Sequence, residues 1–102
     1  MSDTVFERQG NELIVRPKGH LDTVTSPVLE REMQSYLDDV QEITMDFSDV
    51  EYISSGGLRT VLAAEQRMED CGGSMQLIHV NEHILEVFDL VGFRDIVNVE
   101  ES

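Results

Sequence analysis

Residues 43–62, ITMDFSDVEYISSGGLRTVL, join a strand pattern to a helix pattern through a short segment of serines and glycines. In the first part, apolar and polar residues alternate, which is the period of a strand with one face buried more deeply. The alternating apolar residues are Ile43, Met45 and Phe47. Residues 49–53 are interpreted as a short connection, and residues 54–57 (SSGG) follow as a loop. The sequence therefore predicts a buried strand whose end leads into the start of a helix.

Apolar residues recur at three- and four-residue spacing after this loop and in two further segments, which predicts three amphipathic helices. The first begins at residues 25–27 (TSP), where hydroxyls can cap it and proline suits its first turn. Its apolar face is formed by Leu29, Met33, Tyr36, Leu37 and Val40. The second helix ends at Gly72-Gly73, and its apolar face is formed by Leu58, Val61, Leu62 and Met68. The third starts at a cap, Asn81, and ends at Gly92, with an inward face of Ile84, Val87, Phe88 and Val91.

Four more strands are predicted around these helices. Residues 4–8 and 12–17 form an antiparallel hairpin turned by residues 9–11, and Pro17 and Gly19 end its second strand. Residues 75–80 are a mostly apolar run of strand length, and Ile96, Val97 and Val99 make a short final strand. The order β-β-α-β-α-β-α-β predicts an α/β domain over residues 1–102, a mixed sheet with parallel, right-handed β-α-β units and about three to four helices packed on it. The helices are expected mainly on one side of the sheet, or unevenly on both.

The chain is strongly acidic, with a net charge of −14 from 21 acidic and seven basic residues. Six scattered arginines and the single lysine, Lys18, do not make the clustered basic surface that binds nucleic acid. A basic protein partner fits this charge better, although a solvated acidic surface explains it equally well. No apolar run is long enough to insert in a membrane, and the start has no signal-peptide pattern, which predicts a cytoplasmic protein. The lone Cys71 is expected to be a structural residue near a helix end.

The serines at the predicted strand–helix junction have two physical interpretations. A serine there can accept a hydrogen bond from a free amide of the first helical turn and act only as a cap. Alternatively its hydroxyl is functional, since the glycines at the next positions leave amides accessible to an incoming protein or phosphate. No lysine follows the glycines, as a nucleotide-binding P-loop requires. Composition and spacing alone leave both interpretations open.

Three motifs resemble the STAS-domain anti-sigma-factor antagonists. Residues 46–59, DFSDVEYISSGGLR, are similar to the family's "D-L-S-x-V" strand, serine-bearing loop and "G-L" helix start. Residues 19–22 (GHLD) are similar to its "G-x-L-D", and residues 90–97 (LVGFRDIV) to its "L-x-G-L-x-x-x-F". The motifs occur in the family's order and fill most of the chain. The resemblance therefore implies a STAS fold and a binding module switched by serine phosphorylation, which uses no cofactor.

The phosphorylated position differs from that of the best-known members of this family. Their "D-S-S-G-L" loop carries phosphate on the serine directly before "G-L", and that position is Gly56 here. The variant resembles the "I-S-S-A-G-L-R" subgroup, which makes Ser55 the natural phosphosite and Ser54 the reserve, while complete absence of phosphorylation stays open. The resemblance implies a partner-binding surface formed by Asp22, Ser54, Ser55, Gly56, Gly57 and Arg59. For Asp22, a role only as a turn or cap residue is an equal alternative.

The resemblance also implies the partners. These are an anti-sigma factor that is also a serine kinase of the GHKL type, and a PP2C-type phosphatase that removes the phosphate. The alternative is a STAS scaffold subunit, without phosphorylation, in a lipid-transport or sensory complex. An enzyme is not expected, because no nucleophile, base and oxyanion set is visible. The histidines, His20, His79 and His83, lack metal-ligand spacing and are interpreted as structural or exposed.

Overall fold

A computed structural model of the chain describes residues 3–100, which form strands, helices and short turns. The strands are β1 (Val5–Gln9), β2 (Glu12–Arg16), β3 (Lys18–Leu21), β4 (Glu42–Asp46), β5 (Asp49–Ile53), β6 (Ser74–Ile78) and β7 (Asn98–Val99). The helices are α1 (Thr25–Gln34), α2 (Ser55–Asp70) and α3 (Glu82–Leu90), and a 3₁₀ turn covers Phe93–Asp95.

Five of the strands form a mixed sheet in the order β1-β2-β4-β6-β7. The β1–β2 hairpin is antiparallel, and the β2–β4, β4–β6 and β6–β7 pairs are parallel. This arrangement confirms the predicted mixed α/β fold with an antiparallel opening hairpin. In the β4–β6 register Asp46 lies opposite Ile78, so the ends of both strands meet at the same edge of the sheet.

A second sheet of two parallel strands, β3 and β5, is absent from the prediction. Residues 18–21 were expected to follow the end of a strand, and residues 49–53 were expected to be a connection. Both expectations are wrong. The pairing joins segments about thirty residues apart in the chain, and its register shifts between Gly19 and His20. A local sequence pattern therefore does not indicate it. The small sheet matters because β3 and β5 lead directly into α1 and α2.

Helix α1 ends at Gln34, six residues before the predicted end of its apolar pattern. The Ser35 hydroxyl and the Ser35 amide both donate to the carbonyl of Glu32, which closes the last turn. Leu37 and Val40 are nevertheless buried, because the chain after the helix turns back onto the core. Tyr36 does not join them. It is 40% exposed and stacks on Phe6 of β1 with ring centroids 4.4 Å apart.

The region after α3 also departs from its apolar pattern. Asn81 caps α3 as predicted, and its side chain accepts a hydrogen bond from the Ile84 amide at 2.9 Å. Val91, expected to face inward, is exposed, and Ile96, expected in the final strand, is exposed and precedes β7, which covers only Asn98–Val99. Gly92 has a φ of 69°, which reverses the chain after the helix and brings Phe93 into the core. The Phe93 ring then stacks on Phe88, with centroids 4.7 Å apart.

Buried apolar side chains from the large sheet and from all three helices form the core of residues 3–100. The fully buried ones include Leu13 and Val15 of β2, Met45 of β4, Leu77 of β6, Leu29 of α1, Val61 of α2 and Phe88 of α3. On α2, Val61 and Met68 are buried as predicted, whereas Leu58 is half-buried and Leu62 is 36% exposed. The buried face of α2 is therefore narrower than its apolar spacing indicates.

We expect Leu58→Ala to lower the free energy of unfolding by about 1–2 kcal/mol. The figure lies below the roughly 2–5 kcal/mol typical of fully buried leucines, because Leu58 packs against the core with only part of its side chain buried. Leu62→Ala on the same helix is the matched control, and its effect should stay within about 0.5 kcal/mol. Urea denaturation measures both variants. Equal shifts of the two midpoints would contradict the observed orientation of α2.

Candidate functional site

The two serines at the junction of β5 and α2 have different surroundings. Ser54 is half-buried, and both its amide and its hydroxyl donate to the Leu21 carbonyl, at 2.9 and 3.4 Å. Ser55 is the first residue of α2 and is exposed. Its hydroxyl has no hydrogen-bond partner among residues 3–100. Ser54 therefore ties the junction to β3, whereas Ser55 presents its hydroxyl to solvent.

Neither serine caps α2 through its side chain. Ser54 occupies the N-cap position with extended backbone, but no first-turn amide donates to its hydroxyl. Its carbonyl accepts the first helical hydrogen bond, from the Leu58 amide at 3.0 Å. The side-chain cap, one of the two interpretations of these serines, does not form, because the Ser54 hydroxyl donates to Leu21 and Ser55 already lies inside the helix. Free amides at a helix start favour a nearby negative charge.

The two glycines after the serines serve different purposes. A Cβ atom at Gly57 would lie 2.6 Å from the Leu21 carbonyl oxygen and 2.6 Å from Cγ1 of Ile53, and the residue is buried. Glycine is needed there because α2 packs directly on β3 and β5. The expectation that Gly57 leaves its backbone open to a partner is therefore wrong. Gly56 is half-buried against the turn before α1, where its Cβ would lie 3.1 Å from Cα of Thr23.

Asp22 lies in the turn between β3 and α1 and organises the start of that helix. One of its carboxylate oxygens accepts hydrogen bonds from the amides of Val24 and Thr25, each at 2.9 Å. The Thr25 hydroxyl accepts from the Asp22 amide and donates to the His20 carbonyl. Asp22 thus does the capping that the sequence assigned to hydroxyls at residues 25 and 26. Its carbonyl carbon lies 3.3 Å from the Cβ position of Gly56, which brings this turn against the serine loop.

The amides at the start of α1 also act on the ionisation of Asp22. Hydrogen bonds from Thr25 and then from Val24 hold the pKa of its carboxyl below the usual range. A carboxyl with a lowered folded-state pKa stabilises the fold above its unfolded-state pKa. That contribution is lost as the pH falls through the folded-state pKa, which lies below the unfolded-state pKa.

We expect Asp22→Ala to lower the melting temperature at neutral pH, because two amides lose their acceptor. Asp22→Asn keeps a neutral acceptor and should lower the melting temperature by less than Asp22→Ala does. The difference between the wild type and Asp22→Asn should narrow as the pH falls below about 4, where the carboxyl becomes protonated. Thermal unfolding followed by circular dichroism between pH 7 and pH 2 measures it. A difference that stays constant over this range would refute the capping role of the carboxylate.

Arg59 lies one turn after Ser55 on α2 and is exposed. Residues four apart in a helix lie on the same face, so the two side chains are neighbours. The structure thus brings Asp22, Ser55, Gly56 and Arg59 to one corner of the molecule, next to the half-buried Ser54 and the buried Gly57. We call this corner, defined by Asp22, Ser55, Gly56 and Arg59, the serine corner.

A polar cluster at the end of β4 was missed by the sequence analysis. Asp46 is only 12% exposed in its side chain, and its carboxylate lies 2.9 Å from Nδ1 of His79 and 3.5 Å from Nε of Arg16. The Ser48 amide also donates to it at 3.0 Å. Burial raises the pKa of Asp46, but the hydrogen bonds from His79 and Ser48 outweigh it, and the pKa is lowered. His79, with a φ of 57°, was interpreted as structural or exposed; its pairing depends on the β4–β6 register.

Three other candidates for reactive side chains, His20, His83 and Cys71, are exposed. His20 is exposed, with its ring edge-on to Tyr52, and Cys71 is exposed at the end of α2. Within residues 3–100 no three metal-ligating side chains lie close enough together to hold an ion. None of the helices described is both long and apolar enough to span a bilayer.

The fold and the serine corner define a mixed α/β domain with a free serine where a strand enters a helix. Residues 3–102 match the family model of the STAS domain, and the chain belongs to that family. It is 31% identical over 91 residues to BtrV of Bordetella bronchiseptica, covering 88% of this chain and 78% of BtrV. It is 26% identical over 89 residues to the anti-sigma-B factor antagonist of Bacillus subtilis, covering 87% of this chain and 82% of that protein.

A solved structure supports the same assignment of the fold. SpoIIAA of Bacillus in its phosphorylated form superposes with a TM-score of 0.74 at 18% sequence identity, covering 97% of this chain and 92% of SpoIIAA. The resemblance inferred from the three sequence motifs is confirmed by these comparisons.

Proposed function

We propose that this protein is an anti-sigma-factor antagonist that acts as a phosphorylation-controlled partner switch in the bacterial cytoplasm. Unphosphorylated, the serine corner binds an anti-sigma factor that is also a GHKL-type serine kinase. Phosphorylation of Ser55 then releases the complex. The observation that carries the proposal is the free, exposed hydroxyl of Ser55 at the start of α2, next to a Ser54 whose hydroxyl is engaged with Leu21. The names of the relatives support the antagonist part of this proposal.

The proposed reaction is the transfer of a phosphoryl group from ATP to Ser55. The kinase binds ATP and magnesium, the Ser55 oxygen forms a bond to the γ-phosphorus, and the bond from that phosphorus to the ADP oxygen breaks. The hydroxyl proton passes to the kinase or to solvent. A PP2C-type phosphatase restores the hydroxyl by hydrolysis and releases inorganic phosphate. The protein itself is the substrate in both steps and is not expected to catalyse either.

Phosphorylation is expected to act on the contact surface and not on the fold. A phosphoserine brings close to two negative charges at neutral pH. The start of a helix is the place where such a charge is best tolerated, since the first amides and the helix dipole favour an anion. The exposed position of Ser55 leaves room for the phosphate. The partner must then approach a hydrated dianion, which opposes close contact.

Phosphosite mapping tests the proposal. The protein is incubated with ATP, magnesium and its cognate anti-sigma kinase, and the phosphopeptides are sequenced by mass spectrometry. We expect one phosphate, on Ser55. Ser54→Ala should keep it and Ser55→Ala should lose it, because only Ser55 offers a free hydroxyl. Phosphate on Ser54 would overturn the assignment, and a chain that is never modified, in the test tube or in its own cells, would favour the scaffold function instead.

A further inference from the structure

A groove of about 160 Å³ lies beside the serine corner, between the first turns of α1 and α2. Thr23 and Ser26 line it from the side of α1, and Gly56 and Arg59 line it from the side of α2. Ser55 directly precedes Gly56 in α2 and lies one helical turn before Arg59, so two of its near neighbours in the helix line this groove. The position of Ser55 in the helix is therefore adjacent to the residues of α2 that line the groove.

Two polar groups that line this groove, on Arg59 and on Ser26, lack partners among residues 3–100. Arg59 makes no ion pair or hydrogen bond with any of residues 3–100. The Ser26 residue is 2% exposed, and its hydroxyl oxygen also has no hydrogen-bond partner in the described chain. A buried hydroxyl without a hydrogen-bond partner lowers the stability of the fold, and such groups frequently mark a place where a bound ligand supplies the missing hydrogen bond. An unpaired guanidinium and an unpaired hydroxyl together favour an anionic ligand with several oxygens.

The charged side chains around the groove determine where such an anion can bind. Glu30 lines the groove one turn farther along α1 than Ser26, and its carboxylate repels an anion there. Asp22 is not among the residues that line the groove, and its carboxylate accepts hydrogen bonds from the amides of Val24 and Thr25. Arg59 is the cation that lines the groove among the described residues. The favourable position for an anion is thus the mouth of the groove, between the start of α2 and Arg59.

We propose that Arg59 captures the phosphate on Ser55 and holds it at the mouth of this groove; the inference rests on the proposed phosphorylation of Ser55. The four-residue spacing puts the guanidinium on the same helical face as the phosphoserine, where a fork of two N–H groups can hold two phosphate oxygens. The first amides of α2 provide a second favourable contact. Arg59 is then a positioning residue. It fixes the phosphate, and it is at the same time withdrawn from the partner-binding surface.

This capture gives the switch two effects from one modification. The phosphate adds negative charge to the serine corner, and it also occupies the arginine that the unphosphorylated protein presents to its partner. The phosphorylated domain gains a charge-assisted contact that the unmodified domain lacks. Its melting temperature should therefore rise on phosphorylation, and that rise should depend on Arg59.

The experiment uses the full chain with phosphoserine genetically encoded at position 55, so that no kinase is needed. The second ionisation of the phosphate is followed by ³¹P NMR, and thermal unfolding is measured with and without the phosphate. We expect Arg59→Gln to reduce the acid dissociation constant of the phosphate by about threefold or more, since an adjacent cation favours the dianion. Arg59→Gln should also remove most of the rise in melting temperature. Arg59→Lys should keep part of both effects, because the charge remains but the planar fork is lost.

Arg67→Gln is the matched control, since it removes an exposed arginine of the same helix two turns farther from Ser55. It should leave the phosphate ionisation unchanged. Equal dissociation constants in the wild type, Arg59→Gln and Arg67→Gln would overturn the capture of phosphate by Arg59. The encoded phosphate separates this result from the proposed function. If the kinase never modifies Ser55, the proposed switch is wrong, but the ionisation measurement on the encoded phosphoserine is still valid. If Arg59→Gln leaves the phosphate ionisation unchanged, the capture by Arg59 is wrong, but the result of the phosphosite mapping is not affected.

Discussion

Ser55→Asp is expected to weaken binding to the anti-sigma kinase by at least about tenfold, which corresponds to about 1.4 kcal/mol. The aspartate places one fixed negative charge on an exposed position of the serine corner, where the partner makes contact in the proposed complex. Bringing that carboxylate into the interface costs its hydration, and the unmodified interface is formed with a neutral serine at this position. Calorimetric titration of the purified kinase with each variant measures the change in affinity.

Two neutral variants separate charge from shape in this experiment. Ser55→Asn has nearly the shape of Ser55→Asp without its charge, and Ser55→Ala removes the hydroxyl; both should bind close to the wild type. Because Ser55 is exposed and its hydroxyl caps nothing, Ser55→Ala should change the free energy of unfolding by less than about 0.5 kcal/mol. Equal binding of Ser55→Asp and Ser55→Asn would contradict an electrostatic switch at this position.

Gly57→Ala is expected to lower the free energy of unfolding by about 3 kcal/mol, at the upper end of ordinary overpacking. The added methyl carbon would meet the Leu21 carbonyl oxygen and Cγ1 of Ile53 at 2.6 Å each, and Cβ of Leu21 at 2.9 Å. One of these contacts is backbone held in the β3–β5 pairing, so α2 must move away from the small sheet. The better helix propensity of alanine offsets only about 1 kcal/mol.

Urea denaturation of Gly57→Ala beside Ser55→Ala checks this prediction. Both variants place alanine in the first turn of α2, but only the one at position 57 faces the β3–β5 pair. A large loss at position 57 and almost none at position 55 is the expected pair of results. Similar midpoints for the two variants would mean that α2 does not pack this closely on the small sheet.

The sequence predicted those parts of the fold that depend on neighbours in the chain. The β1–β2 hairpin has turn residues between two short strands, and the Asn81 cap precedes an apolar helix pattern; both lie where expected. The parallel order of β2, β4 and β6 follows from helices inserted between strands. In each case the signal is a period of two or of three to four residues, which short segments carry by themselves.

The parts that were missed depend on contacts between distant segments. The pairing of β3 with β5 and the contact between Asp46 and His79 join residues about thirty positions apart, and neither segment signals its partner. The same reason explains Gly57. As a residue after two serines it looked accessible, and only the approach of α2 to Leu21 makes it a packing residue.

The candidate site was found from its sequence motif, but the roles within it needed the structure. Both serines were candidates for a cap or a functional hydroxyl, and the structure distinguishes them by exposure and by the bond from Ser54 to Leu21. For Asp22, the capping alternative is confirmed by its contacts with Val24 and Thr25. Its role toward a partner stays a prediction.

The affinity of the anti-sigma kinase for the phosphorylated and the unphosphorylated protein tests the central claim most directly. Both forms are titrated into the purified kinase in a calorimeter, with the phosphate on Ser55 verified by mass spectrometry before and after the titration. The account predicts a stable complex with the unphosphorylated protein and an affinity at least about a hundredfold weaker, or about 2.7 kcal/mol, after phosphorylation. Equal affinities for the two forms would contradict it.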